Sequence, residues 1–204
     1  MLDIRTMTTE NWYRLLLENH VTHTVDKSGV RQIIPCRVEN PNLDLERIWN
    51  VATTPGLTSE LKSICWIMLH NLLPTKTRLY RIGLSESPNC DQCDDASPDT
   101  LTHSLLTCPC IGAAGSYLLS VLMVELPSIL PEQVVLLDFD VSENLPYSYL
   151  SATVLSEIWK CRKEKRVCSA HIIRATLEAG IQILRKTRFK NSAEKLQAVV
   201  DVAL

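Results

Sequence analysis

Apolar side chains recur at separations of three and four between Ser59 and Leu72: Leu61, Ile64, Cys65, Met68, Leu69 and Leu72. That spacing puts them on one face of a helix, and a stripe of this kind predicts core. Cys65 belongs to the stripe and is a poor candidate for a reactive thiol, since reactivity needs exposure. Trp66 and His70, four apart, fall at its margin. Pro74 ends this helix. Thr75 to Ile82 predicts a shorter one, with Lys76, Arg78 and Arg81 exposed beside Leu79 and Ile82. Gly83 suits its stop, because a residue without a Cβ accepts positive φ.

Upstream, Thr8 to Asn11 can open a helix carrying Trp12, Tyr13, Leu15, Leu16 and Leu17, with a hydroxyl capping the first free amides. His20 and His23 follow and read as exposed histidines, since nothing around them completes a metal site. Residues 24–43, with Gly29, Pro35 and Pro41, predict a connection with one extended piece over Val30 to Pro35. Leu43 to Val51 predicts a helix with Leu45, Ile48 and Trp49 on one side, broken at Thr53 to Gly56.

Downstream, Ile111 to Leu126 is apolar on most sides and predicts a buried helix, interrupted over Pro127 to Pro131. Val134 to Leu137 is a brief extended or helical piece. Tyr147 to Arg166 and Ala170 to Lys186 predict a long helical hairpin, and Ala193 to Val199 a short last helix or frayed tail. The fold class is therefore mainly α: an irregular helical module with a cysteine-rich turn and a C-terminal hairpin. It divides into 1–43, an N-terminal helix and connection; 44–126, around the turn; and 127–204, a basic helical region.

The turn changes the picture. Cys90 and Cys93 lie in a polar stretch from Pro88 to Asp95, followed by His103 and Cys108. A close pair, a longer gap and a second pair is the layout of a closed CCHC zinc site, so Cys90, Cys93, His103 and Cys108 are the expected ligands of a zinc-stabilised turn. Asp99 or Thr100 can cap the helix that carries His103, with Leu101, Leu105 and Leu106 turned to the preceding arm. Cys110 competes with Cys108 as the fourth ligand, and Cys108 is favoured because its return from His103 is tighter. Two other uses of eight cysteines remain open. Buried free thiols suit Cys36, Cys65 and Cys168 but not the polar turn. Disulfides require export, and the first twenty residues lack the apolar core of a secretory signal.

With 46% hydrophobic and 22% charged residues over 204 positions, the chain is long and apolar enough to bury a core. No apolar window is long enough to predict a membrane span. The formal charge of -2 hides a segregation: residues 160–190 hold ten cations against Glu164 and Glu178. Lys160, Arg162, Lys163, Lys165, Arg166, Arg174, Arg185, Lys186 and Arg188 are the candidate contacts to a polyanion. The rival reading makes them the wet faces of two helices.

Catalysis finds little support. Asp138 and Asp140 lack an identifiable third carboxylate for a two-metal site. No phosphate loop, nucleophile elbow or HExxH motif occurs. The acids Asp91, Asp94, Asp95 and Asp99 surround soft ligands, and four protein ligands would leave zinc no open position.

Taken together, Asp44 to Trp49, Cys65 to Leu79 with its His70 and Pro74, the Cys90/Cys93 pair, His103 and Cys108-Pro109 resemble the zinc-binding region downstream of reverse transcriptase in non-LTR retrotransposons. The resemblance spans about residues 44–110 and implies zinc as cofactor, with Trp66, His70 and Arg78 in the supporting arm. The chain departs from that pattern just before the histidine, where Leu101-Thr102 separates Asp99-Thr100 from His103, and just after it, at Ser104-Leu105. The implied function is a non-catalytic accessory module that positions RNA or DNA through its phosphate backbone beside a reverse transcriptase core. That expectation places it inside the cell, in the nucleus or shuttling to it, and away from membranes. The alternative is a protein-interaction module that packs against a polymerase or host factor.

Overall fold

The computed structural model describes residues 55–94, 96–111, 113–139 and 145–203. The expected helix from Thr8, His20 and His23, the extended piece at 30–35, the Leu43 to Val51 helix and Asp140 lie outside them. Among the described residues the chain is helical, without a strand: α1 Ser59–Leu69, α2 Lys76–Arg81, a π-turn His103–Thr107, a 3-10 turn Pro109–Ile111, α3 Ala114–Glu125, α4 Pro131–Leu136, α5 Leu145–Lys163, α6 Ala170–Arg185 and α7 Lys190–Ala203. No helix among them is long and apolar enough to cross a membrane.

Helix α1 starts where Thr58 accepts a hydrogen bond from Leu61 N at 3.3 Å and buries Leu61, Cys65, Met68 and Leu69, as the stripe predicts. It stops short of Pro74. Asn71 takes φ 50°, so Asn71 N reaches Met68 O and Leu72 N reaches Ile67 O, both at 2.8 Å. This pair of bonds closes the last turn around a left-handed residue, a conformation asparagine tolerates better than most. Gly83, at φ 75°, does the same for α2, with Leu84 N donating to Leu79 O at 2.8 Å.

Helix α5 runs through the centre. It packs against α1, α3, α4, α6, α7 and the π-turn, and nearly every residue from Leu145 to Ile158 is buried. A helix covered on all sides shows no single apolar stripe, which is why its sequence looks only weakly amphipathic. Helix α6 is the opposite case: Ile173, Leu177, Gly180, Ile181 and Leu184 form one buried face and the opposite face meets water. Helix α7 folds back along α6, burying Ala193, Leu196 and Val200. It is longer than the Ala193 to Val199 segment expected. The ambiguous Val134 to Leu137 piece is helical as far as Leu136, and Leu137 turns out of α4 at φ 57°.

Candidate metal centre

The cysteine turn is a narrow loop. Residues 88–90 run against 97–99, with Cys90 N donating to Ser97 O and Asp99 N to Pro88 O, each at 2.9 Å. Within the loop Gln92 N donates to Cys90 Sγ at 3.4 Å, laying a backbone donor over one sulfur. On the far side Thr100 Oγ accepts from His103 N at 3.1 Å and starts the helical turn as a cap. Five residues on, Cys108 N donates to His103 O at 2.8 Å, which makes His103–Thr107 a π-turn. In an α-helix, residues five apart point about 140° away from each other. The wider π-turn brings His103 and Cys108 to the same side.

The three sulfurs and the imidazole nitrogen all lie within 4.8 Å of one another. Cys90 Sγ stands 3.9 Å from Cys108 Sγ, and Cys93 Sγ 3.5 Å from His103 Nε2. Tetrahedral zinc, with Zn–S about 2.3 Å and Zn–N about 2.0–2.1 Å, spaces its ligands about 3.8 Å apart for two sulfurs and about 3.5 Å for sulfur and nitrogen. In donor type and in these two separations the residues therefore fit zinc. Cys110 is exposed and stands outside the cluster, its thiol donating to the Gln92 carbonyl.

Around this cluster the structure adds partners that the sequence does not announce. Arg162, expected on the wet face of the hairpin with the other cations, is instead 7% exposed. Its Nη2 donates to Asp99 Oδ1 at 2.7 Å and to Cys90 Sγ at 3.3 Å. Asp99 is itself buried and accepts two further bonds, from Lys76 N at 2.8 Å and from Ser104 Oγ at 2.6 Å. It thus joins α2, the π-turn and α5, while Thr100 does the capping. The signal for Arg162 is its register: it follows Val154 and Ile158 at intervals of four, on a side of α5 that is otherwise apolar.

Burial pushes the Cys90 thiol up, but Arg162, the Gln92 amide, His103 and Cys93 outweigh it and bring it from 9.0 to about 6. Burial also opposes the charge on Arg162, yet Cys90, Asp99 and Cys108 more than offset it and hold that guanidinium above its ordinary value. Cys65, without such partners, is driven up to about 12 by burial. This environment favours thiolate at Cys90 and thiol at Cys65, and thiolate is the form that ligates metal.

The other expected cations sit outside. Lys163, Lys165, Arg166, Arg185, Lys186 and Arg188 are exposed and Lys160 and Arg174 half-buried. Lys160 bridges Glu157 and Glu60, each at 2.9 Å, tying α5 to α1. Arg174 pairs with Glu178 at 2.9 Å, and Arg166 with Glu164. In the arm, the Trp66 and His70 rings meet at a tilt of 45° with centroids 4.2 Å apart. Arg78, expected exposed, is buried and lines a cleft together with Met68, Leu101 and Leu136.

A helical protein with a cluster of three cysteines and one histidine suited to zinc is the class that fold and site define. Residues 35–114 match the family described as zinc-binding in reverse transcriptase. The match bears out the resemblance seen over 44–110 and includes all four cluster residues. It covers less than half of the chain and stops at the first residue of α3, leaving α5 and Arg162 outside. No curated protein and no solved structure matches the chain.

Proposed function

We propose that the chain is a zinc-stabilised accessory module of a retrotransposon-type reverse transcriptase, one that binds RNA or DNA through the phosphate backbone and leaves the chemistry to a polymerase. The observation that carries this reading is the placement of exposed cations next to the cluster. Lys165 and Arg166, at the end of α5, line a groove of about 310 Å³ together with Gln92 and Cys110 of the cysteine turn. Lys163 lies beside them, whereas Lys186 at the end of α6 belongs to the other end of the hairpin, where Gly180 of α6 meets Tyr149 of α5. Zinc would fix the turn, and the turn would fix the basic end of α5. Such a role is intracellular, in the nucleus or between nucleus and cytoplasm.

The test is titration of RNA and DNA duplexes at several salt concentrations, with metal analysis of the same preparation. The expected result is one zinc per chain, lost in Cys90→Ser, and affinity that falls with salt. Changing Lys163, Lys165 and Arg166 to Glu should reduce the log–log slope by about 0.9 for each lost contact to duplex DNA. Binding that ignores salt, or variants that bind as well as the parent, would refute the nucleic-acid role.

A second reading, a surface for a polymerase or host protein, draws on Met123 and Val124 at the end of α3 and Leu130 after it, all at least half exposed. It predicts binding to such a partner that survives the three charge reversals.

A further inference from the structure

Arg162 is a cation of the basic run that a surface role leaves unexplained. Its side chain lies inside the protein, and burying a guanidinium is costly unless anions meet its donors. Nη2 is met by both Asp99 and Cys90, while Nη1 is buried with no hydrogen-bond partner among the described residues. The same residue is held from its backbone, since Gln92 Nε2 donates to Arg162 O at 3.3 Å. Turn and helix thus grip each other twice, once through the guanidinium and once through the carbonyl.

Charge gives this contact a purpose. Two positive charges on zinc against three thiolates leave the centre one negative charge. Asp99, itself buried, brings a second beside the buried Cys90 and Cys108. Like charges in a poorly solvated site repel strongly. The neighbouring Lys76 does not answer them, for its Nζ reaches out to Asp91 at 3.1 Å. The other donors that face this pair are Gln92 N on Cys90 and Ser104 and Lys76 N on Asp99, which bring hydrogen bonds without net charge. Arg162 alone among those described partners supplies a buried positive charge.

We propose that Arg162 is the counter-ion of the zinc–thiolate centre, bridging Cys90 and Asp99 so that metal binding and the docking of α5 are one coupled event. Arg162 touches no metal and is a positioning residue. Coupling is reciprocal: whatever zinc contributes to the seating of α5, a seated α5 returns to zinc affinity. A helix outside the matched segment thereby becomes part of the site. The inference rests on the zinc reading above.

Its test uses the full chain and zinc alone. Zinc affinity is measured by competition with a chromophoric chelator for the parent, Arg162→Met and Arg162→Lys. Cobalt replaces zinc in a parallel series so that the sulfur-to-metal charge-transfer band can be read. Loss of an outer partner of this kind typically weakens a metal by about 10- to 100-fold, and that drop is expected for Arg162→Met, with partial recovery in Arg162→Lys and a shifted cobalt band. A folded Arg162→Met that binds zinc within about twofold of the parent and keeps the parent's band would overturn the proposal. Should the Met variant not fold, the parent decides: chelation should speed hydrogen exchange in the last turns of α5, and exchange unchanged there refutes the coupling. A parent that binds no zinc at all refutes the zinc reading and this one with it.

Discussion

The Cys90 thiol shows what a single side chain does at this site. Burial alone would keep it protonated, but Arg162 and the surrounding donors lower it from 9.0 to about 6. A group with a depressed folded value contributes stability that is complete above its unfolded value and lost as pH falls through the folded one. In chelated protein that contribution should be full above pH 9, decline below it and vanish by about pH 6. Urea midpoints across this window should rise with pH in the parent and rise less in Cys90→Ala; parallel profiles would show that Cys90 is not the responsible group. At this scale the four cluster residues were legible because their spacing is local: two cysteines in a polar turn have few other uses. The outer partners were not. Arg162 finds Asp99 at a separation of 63 residues, and a run of lysines and arginines does not say which member turns inward. Only its place in line with Val154 and Ile158 hints at it.

Helix ends and helix crossings decide whether those ligands meet. Gly83 was readable as a stop, whereas Asn71 was not, because asparagine takes the left-handed conformation less readily than glycine and Pro74 offered a more obvious boundary. The π-turn was hidden too, since its apolar spacing reads as ordinary helix. What supports it is a close approach by α3. At Gly115 an added Cβ would fall on the Leu106 carbonyl, with the Ile111 side chain at 2.9 Å. Backbone cannot step aside cheaply, so Gly115→Ala should cost about 1–3 kcal/mol as overpacking. It should also displace the turn that bears His103. Thermal denaturation and zinc competition on that variant check both effects together; a loss of stability with unchanged zinc affinity would show that the π-turn holds its shape without α3.

Over the whole molecule, the mainly helical class and the hairpin were legible from periodicity, while the central position of α5 was not. A helix buried on every side loses the polar face by which amphipathic helices are recognised, and its run of Ser148, Ser151, Thr153 and Ser156, all buried, looks like surface. Helix α5 covers α1, α3 and the π-turn, where Cys65, Leu105 and Leu118 have no exposed surface. Fully burying a leucine contributes about 1.5–3 kcal/mol, so removing this cover forfeits several such contributions at once.

The consequence reaches anyone who trims the chain to the part that resembles something known. A fragment of residues 35–114 keeps all four ligands yet uncovers a patch of leucines and discards the arginine beside the sulfurs. It should form soluble aggregates or inclusion bodies, and light scattering against the 1–204 polypeptide would reveal this. A monodisperse fragment that retains zinc as tightly as the full chain would mean that similarity alone had found the true edge of the folding unit.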